Sequence, residues 1–232
     1  MGLVRVGVLA CLGSFGCGSS PAPPEATPPP PQKALVPGLP VVGILVYDDV
    51  LGTEVTAPID VFTKPTEDGK PLFNVLTIAE AAHPLLTEEG LRLVPDRTFA
   101  DAPELDVLVV PSALDMAAQV SNEALVGFIR EQDAHTDYTM SNCAGAHLIG
   151  ASGVGDGKKI VTWVGGGTEL QAAYPALQVQ DDSTVSFVAD GKLYSSNGNL
   201  ATYIASLELL EVMTTAEHRT YVEGYLYLDR LV

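Results

Sequence analysis

The residues with the clearest chemical potential lie together at Ser141-Asn142-Cys143-Ala144-Gly145-Ala146. A β-type run ends, a thiol follows, and small residues open a helix. That is the pattern of a nucleophile elbow, in which small neighbours are needed because the turn is tight and the helix packs close to the sheet. Free N–H groups at the start of such a helix favour an anion, so the Cys143 thiol pKa is expected to fall. The Ala144 N–H is placed to serve an oxyanion. The ordinary alternative is a free cysteine acting as a small buried apolar side chain. Other donor sets are poor. The histidines His83, His135, His147 and His218 show no metal-ligand spacing. Gly165-Gly166-Gly167 lacks the Lys-Ser or Lys-Thr of a phosphate loop. It reads as a turn before a helix from Glu169 to Ala173. No metal and no cofactor are expected.

The elements that must hold Cys143 are legible as alternating periodicities. Val41–Tyr47 and Asp106–Val110 are continuous apolar runs, as in strands buried on both faces. Phe73–Ile78 and Tyr138–Asn142 are further strands, and Leu91–Val94 a short one. Helices are predicted over 53–62, 122–132, 144–151 and finally 200–213. Val185–Val188 and Lys192–Ser195 flank Asp190-Gly191, a hairpin signal. Strands alternating with helices imply an α/β fold with a mostly parallel central sheet and helices on both faces. In such sheets the site lies beyond the carboxyl ends of the strands, where Cys143 falls.

Composition bounds the partners. The chain has 232 residues, 47% of them hydrophobic, enough for one domain with a real core. Its formal net charge of −17 repels nucleic acid and anionic headgroups, so no nucleic-acid partner is expected. Arg5 followed by the apolar run 6–16 reads as a secretory signal, because the run is too short to span a bilayer. A cysteine ending that run resembles a bacterial lipoprotein signal, which implies a lipid anchor on that cysteine. Cys17 has the better distance from the N-terminus and is preferred. Val8-Leu9-Ala10-Cys11 matches the usual box better by residue type, so Cys11 also stands. With Ser19 after Cys17, the expected location is the periplasm or the outer membrane. Residues 18–39, rich in Pro, Ala and Ser, read as an extended tether. The expected organisation is therefore signal 1–17, linker 18–39 and domain 40–232. Processing at Cys17 leaves Cys143 as the only free thiol, so no internal disulfide is expected. A lone thiol in an oxidising compartment points to burial or to a use of its oxidation.

Three segments then carry a family resemblance. Cys143-Ala-Gly-Ala-His-Leu-Ile-Gly-Ala-Ser-Gly-Val-Gly-Asp-Gly-Lys-Lys-Ile-Val-Thr162 resembles the elbow, helix and "G-L-L-x-G-[KR]-x-x-T-[TS]" segment of the ThiJ/PfpI (DJ-type) superfamily, whose domains are class I glutamine amidotransferase-like. Tyr47-Asp48-Asp49 with Thr53-Glu54-Val55-Thr56-Ala57-Pro58-Ile59-Asp60-Val61-Phe62 resembles "D-G … L-D-x-x-G-P-x-E-V-F". Leu193-Tyr-Ser-Ser-Asn-Gly198 resembles "L-x-T-S-x-G". In order, they cover almost all of 41–215. The resemblance implies a flavodoxin-like three-layer sandwich, often a homodimer, and an acidic partner for Cys143 at Glu54. A carboxyl group held away from water beside sulfur has a raised pKa and can carry a proton to or from it.

The departures from the family are equally specific. Deglycase- and glyoxalase-like members carry a His where this chain has Trp163, and Trp cannot act as a base. Isonitrile hydratase-like members place a Thr where this chain has Ala144. The family's Gly-Gly after "V-V-P" is Ser112-Ala113 here, leaving their backbone N–H groups as the expected oxyanion donors. His147, one helical turn beyond Cys143, matches no catalytic position of the family. Amidase-like regulators bear an Asp where Ile204 stands. They also add a DNA-binding helix-turn-helix, which the roughly twenty residues after the last predicted helix do not accommodate. Two functions are thus expected. One is a hydratase, amidase or glyoxalase-like enzyme acting on a small electrophile through Cys143 and Glu54. The other is a non-catalytic ligand-binding or redox-responsive module with a small-molecule ligand in the same pocket.

Overall fold

The apolar runs form the middle of one sheet. The computed structural model describes Gly2 and residues 32–230. The elements are β1 (Val41–Leu45), α1 (Gly52–Phe62), β2 (Asn74–Ala79), β3 (Leu85–Leu86), β4 (Arg92–Leu93), β5 (Arg97–Thr98), β6 (Val107–Val110), α2 (Met116–Val120) and α3 (Glu123–Asp133). They continue with β7 (Tyr138–Asn142), a 3₁₀ turn (Cys143–Gly145), α4 (Ala146–Ser152), β8 (Lys159–Ile160), α5 (Gly167–Ala173) and β9 (Gln178–Val179). After β10 (Phe187–Asp190) and β11 (Leu193–Ser196) come α6 (Ala201–Met213), α7 (Ala216–Tyr225) and a closing 3₁₀ turn (Leu228–Arg230). The expected signal apart from Gly2, with Cys11 and Cys17, and the tether as far as Pro31 lie outside the described residues. Among the described residues no helix is long and apolar enough to cross a membrane.

The main sheet runs β10-β11-β7-β6-β1-β2-β5, and every neighbouring pair is parallel except the β10–β11 hairpin. Strands β1 and β6 are buried along their whole length, which is why their sequences do not alternate. The chain moves outward from β1 to β2 and β5, then returns across β1 to β6. With right-handed crossovers this reversal puts α1 and α3 on opposite faces. Helix α6 packs with α1, and α4 with α3. The reversal also makes the carboxyl ends of β1 and β6 a switch point, and β7 and β11 end beside them.

Several sequence boundaries move. Residues 32–39, placed in the tether by composition, are docked on the domain: Asn74 donates to the carbonyls of Val36 and Leu39 and accepts from Val36 N–H. The helix expected from Ala144 begins as a tighter 3₁₀ turn at Cys143, and α4 proper starts at Ala146. In the hairpin, Asp190 pairs with Leu193, so the turn is Gly191-Lys192 and each strand sits later than expected. Helix α5 begins at Gly167, where the Asp182 carboxylate accepts from Gly165 and Gly167 N–H and takes the place an anion would occupy. The helix over 201–213 is not the last. Helix α7 follows, capped by Thr215 and tied through Arg219 to Glu208 and Glu211 of α6.

Candidate active site

The ends of four adjacent strands bring the expected residues together. Cys143 follows β7, Ser112 lies just beyond β6, Gly198 just beyond β11, and Glu54 sits in the first turn of α1 after β1. Cys143 has φ +50°, a strained value for a residue with a side chain and the mark of an elbow. Its carbonyl accepts from Thr162 Oγ1 at 2.8 Å. Beneath it, Ser196 Oγ donates to Asn142 Oδ1 at 2.7 Å and accepts from Gly198 N–H at 3.1 Å, linking the two strand ends. Gly145 has to be glycine: a Cβ there would overlap the carbonyls of Val110, the last residue of β6, and of Pro111 just beyond it, so the turn packs directly on the end of the sheet.

Glu54 is fully buried. Its Oε2 accepts from Ser112 N–H at 2.7 Å and its Oε1 from Asn199 N–H at 3.2 Å. Gly198, with φ +83°, passes so close that a Cβ on it would overlap both Glu54 Oε1 and Cys143 Cβ. The carboxyl group and the sulfur-bearing side chain are therefore neighbours across one glycine. Helix α1 has no side-chain cap of its own. Both carboxylate oxygens of Glu89 accept from Gly52 N–H at 3.0 Å, which fixes the turn that carries Glu54.

The electrostatics follow from this burial. Desolvation raises the Glu54 pKa, against the hydrogen bonds from Ser112 and Asn199 that lower it, with the Glu88 charge adding to the rise. Cys143 is pushed up to about 11, by burial first and then by the Glu54 charge, outweighing the Ser112 hydroxyl and the Ala144 N–H. This reverses the lowered thiol pKa expected from the helix start. The opening turn is short, and the sulfur is too dry and too close to a carboxylate for the N–H groups to prevail.

The expected oxyanion donors also separate. Ser112 N–H is committed to Glu54, and Ala113 N–H points at Met116 Sδ, 3.1 Å away. Ala144 N–H lies by the Cys143 sulfur. The Ser112 hydroxyl, on a residue only 1% exposed, lies beside Cys143 and Glu54 without a partner in good hydrogen-bonding geometry. Ala113, Ala144, His147 and Trp163 line one cavity of about 360 Å³, with Met116 and Tyr174. His147 stacks on Trp163 (5.5 Å between centroids, 26° between planes) and meets the Tyr174 ring edge-on. Burial lowers its pKa, against the Glu169 charge that raises it. Ile204 stands on α6, outside that cavity's lining and 44% exposed.

Residues 41–212 match the DJ-1/PfpI family. The chain belongs to the DJ-1/PfpI family. It is 29% identical over 183 residues to an isonitrile hydratase of Pseudomonas putida, covering 78% of this chain and 75% of that one. A ThiJ/PfpI family protein from Pseudomonas syringae shares the fold with a TM-score of 0.73 at 20% identity, over 87% of this chain and 83% of that one. Drosophila melanogaster DJ-1beta superposes with a TM-score of 0.68 at 18% identity, over 82% of this chain and all but 2% of its own, 98% being covered. Within this DJ-1/PfpI fold, Cys143, Glu54, Ser112, Ala113, Ala144, His147 and Trp163 are the site residues that the sequence marks. Asn199, Glu88, Glu89, Met116 and Tyr174 also shape the site without a mark in the sequence. Asn199 adjoins the quoted Gly198, and Glu88-Glu89 precede a glycine turn. Neither is a signal that points to a distant carboxylate.

Proposed function

We propose that this protein is a small-molecule hydratase that adds water to an isonitrile carbon, with Cys143 as nucleophile and Glu54 as proton carrier. One observation carries the reading: a fully buried carboxyl group held against the side chain of an elbow cysteine. Among the electrophiles such a pair suits, the isonitrile is favoured by the 29% identity to an isonitrile hydratase. An α-oxoaldehyde is disfavoured by Trp163, which supplies no base.

Because the thiol pKa is about 11, the sulfur is protonated at neutral pH and needs a base as it attacks. Glu54 takes the thiol proton while sulfur bonds to the isonitrile carbon, then returns it to that carbon, leaving a thioimidate, R–N=CH–S–Cys143. Water adds to the same carbon as Glu54 accepts its proton and passes it to nitrogen. The C–S bond breaks, the thiol recovers the hydroxyl proton, and the N-substituted formamide R–NH–CHO leaves. The sum is one isonitrile plus one water. Ala144 N–H and the unpartnered Ser112 hydroxyl are the donors for charge developing on oxygen. Formamide production followed by NMR tests this. Cys143→Ser should abolish it, and equal turnover in that variant would remove Cys143 from the mechanism.

A second reading is a ligand-binding or redox-responsive module. It is favoured by the partial exposure of Cys143 beside a carboxyl group able to donate to an oxidised sulfur. Mass spectrometry after mild peroxide tests it, and an unmodified Cys143 counts against it. Lipidation at Cys17, with Cys11 as the competing site, placement in the periplasm or on the outer membrane, and homodimerisation are carried forward as proposals. The exposed Leu200 and Ile204 support the last.

A further inference from the structure

The cavity lined by Ala144, the residue that follows Cys143, has a chemical character of its own. It is about 360 Å³, at the small end for ligand pockets, and suits a single-ring molecule rather than an extended one. Ala113, Ala144, Met116 and Val120 line one part of it with no charged group. Trp163, His147 and Tyr174 form an aromatic wall. Trp163 is fixed in place: His147 stacks on it, and Gly166 packs so close that a Cβ there would overlap the indole. The wall is therefore preformed, which lowers the ordering cost of binding. The charge lining the cavity is the Glu169 carboxylate, and Glu88 faces the Cys143–Glu54 pair from another loop. Both disfavour an anion.

We propose that Trp163, with His147 and Tyr174, is the seat for an uncharged aromatic ring on the substrate, holding the ring while the reacting carbon reaches Cys143. Trp163 then determines specificity at a position where a proton-transferring residue would otherwise stand. The proposal rests on the reading of Cys143 as a nucleophile toward isonitriles. An aromatic ring is preferred to an aliphatic group of similar size because ring pairs add an electrostatic contribution to simple burial. An isonitrile bearing a carboxylate is rejected.

Trp163 is the only tryptophan in the chain, so its fluorescence reports on this wall alone. The purified full chain carrying Cys143→Ser is titrated with benzyl isocyanide, methyl isocyanide and isocyanoacetate, which reads binding without turnover. Benzyl isocyanide should change the emission saturably, at concentrations about tenfold or more below those needed for the other two. Separately, in the chain with Cys143 intact, Trp163→Ala should lower kcat/KM for benzyl isocyanide about tenfold more than it lowers that for methyl isocyanide, while Trp163→Phe restores most of the difference. Trp163→Phe also serves if the alanine variant does not fold. A saturable benzyl response without formamide from any isonitrile leaves the aromatic seat standing and overturns the hydratase reading. Formamide production with no benzyl preference in either assay overturns the seat and leaves the hydratase reading intact. Equal emission changes with all three probes, or none, also overturn the seat.

Discussion

Replacing Gly198 with alanine separates the site's geometry from its chemistry. Gly198 takes no part in proton or carbon transfer, yet its backbone lies between Glu54 and Cys143. Two costs arise. At φ +83° a residue with a Cβ is strained by about 1–2 kcal/mol. The new methyl group would overlap Glu54 Oε1 and Cys143 Cβ, and overpacking of this kind costs about 1–3 kcal/mol. Together they amount to about 2–5 kcal/mol, and at about 2–4 °C per kcal/mol for a domain of this size the melting temperature should fall by roughly 5–20 °C. Relief comes from moving the carboxyl group away from the sulfur. A displacement near 1 Å costs about 10²-fold in rate, so turnover should fall at least that far at temperatures where the variant remains folded. Thermal denaturation followed by circular dichroism reads the first effect, and formamide production reads the second. A variant with the wild-type melting temperature and turnover would refute the placement of Gly198 between the two groups.

Three further outcomes are expected. Glu54→Gln should lower turnover by about 10²–10⁴-fold and move the Cys143 alkylation profile to lower pH, because the carboxylate charge that raises the thiol is gone. Folded Glu54 holds its proton more tightly than the unfolded chain does, so its contribution to stability is full below about pH 4.3 and is lost as pH rises through the raised folded value; the Gln variant should lack that slope in denaturant titrations. Glu89→Ala should destabilise the protein by about 1 kcal/mol, as removal of a helix cap does, and lower kcat more than it changes KM because Glu54 loses its fixed turn. Ser112→Ala should lower turnover by about 10²-fold while leaving the melting temperature unchanged or higher, since the hydroxyl removed is buried and unpartnered; a large drop in melting temperature would assign the hydroxyl to structure instead.

How far the site was legible depended on how local its causes are. Cys143 could be read because the elbow is a consecutive strand–thiol–small-residue pattern. The mostly parallel sheet could be read because β1 and β6 are continuous apolar runs and strands alternate with helices along the chain. Glu54 needed the family resemblance, since an acidic residue in the first turn of a helix is otherwise ordinary. What could not be read was set at long range. The commitment of Ser112 N–H to Glu54 joins residues 58 positions apart, and that of Asn199 joins residues 145 apart. The Glu89 cap comes from the loop between two short strands that pattern alone barely marks. Helix α7 is obscure in the sequence for a nearer reason: its cap at Thr215 follows α6 almost at once, so the pattern shows a helix and a tail.

The thiol pKa shows most plainly why magnitude has to decide between local rules. A helix N-terminus favours an anion by at most about 2 kcal/mol, and typically by less than 1. Raising Cys143 to about 11 corresponds to roughly 3 kcal/mol against the thiolate, after the Ala144 N–H and the Ser112 hydroxyl have already acted in its favour. Burial and the adjacent Glu54 therefore outweigh the helix start, and both follow from the same packing across Gly198. The consequence is mechanistic. A preformed thiolate would attack without help, and Glu54 would be a spectator. In the proposed hydratase, a protonated thiol beside a buried carboxylate reacts only when the proton moves as the bond forms, so the pair, and not the cysteine alone, is the reacting unit of that proposal.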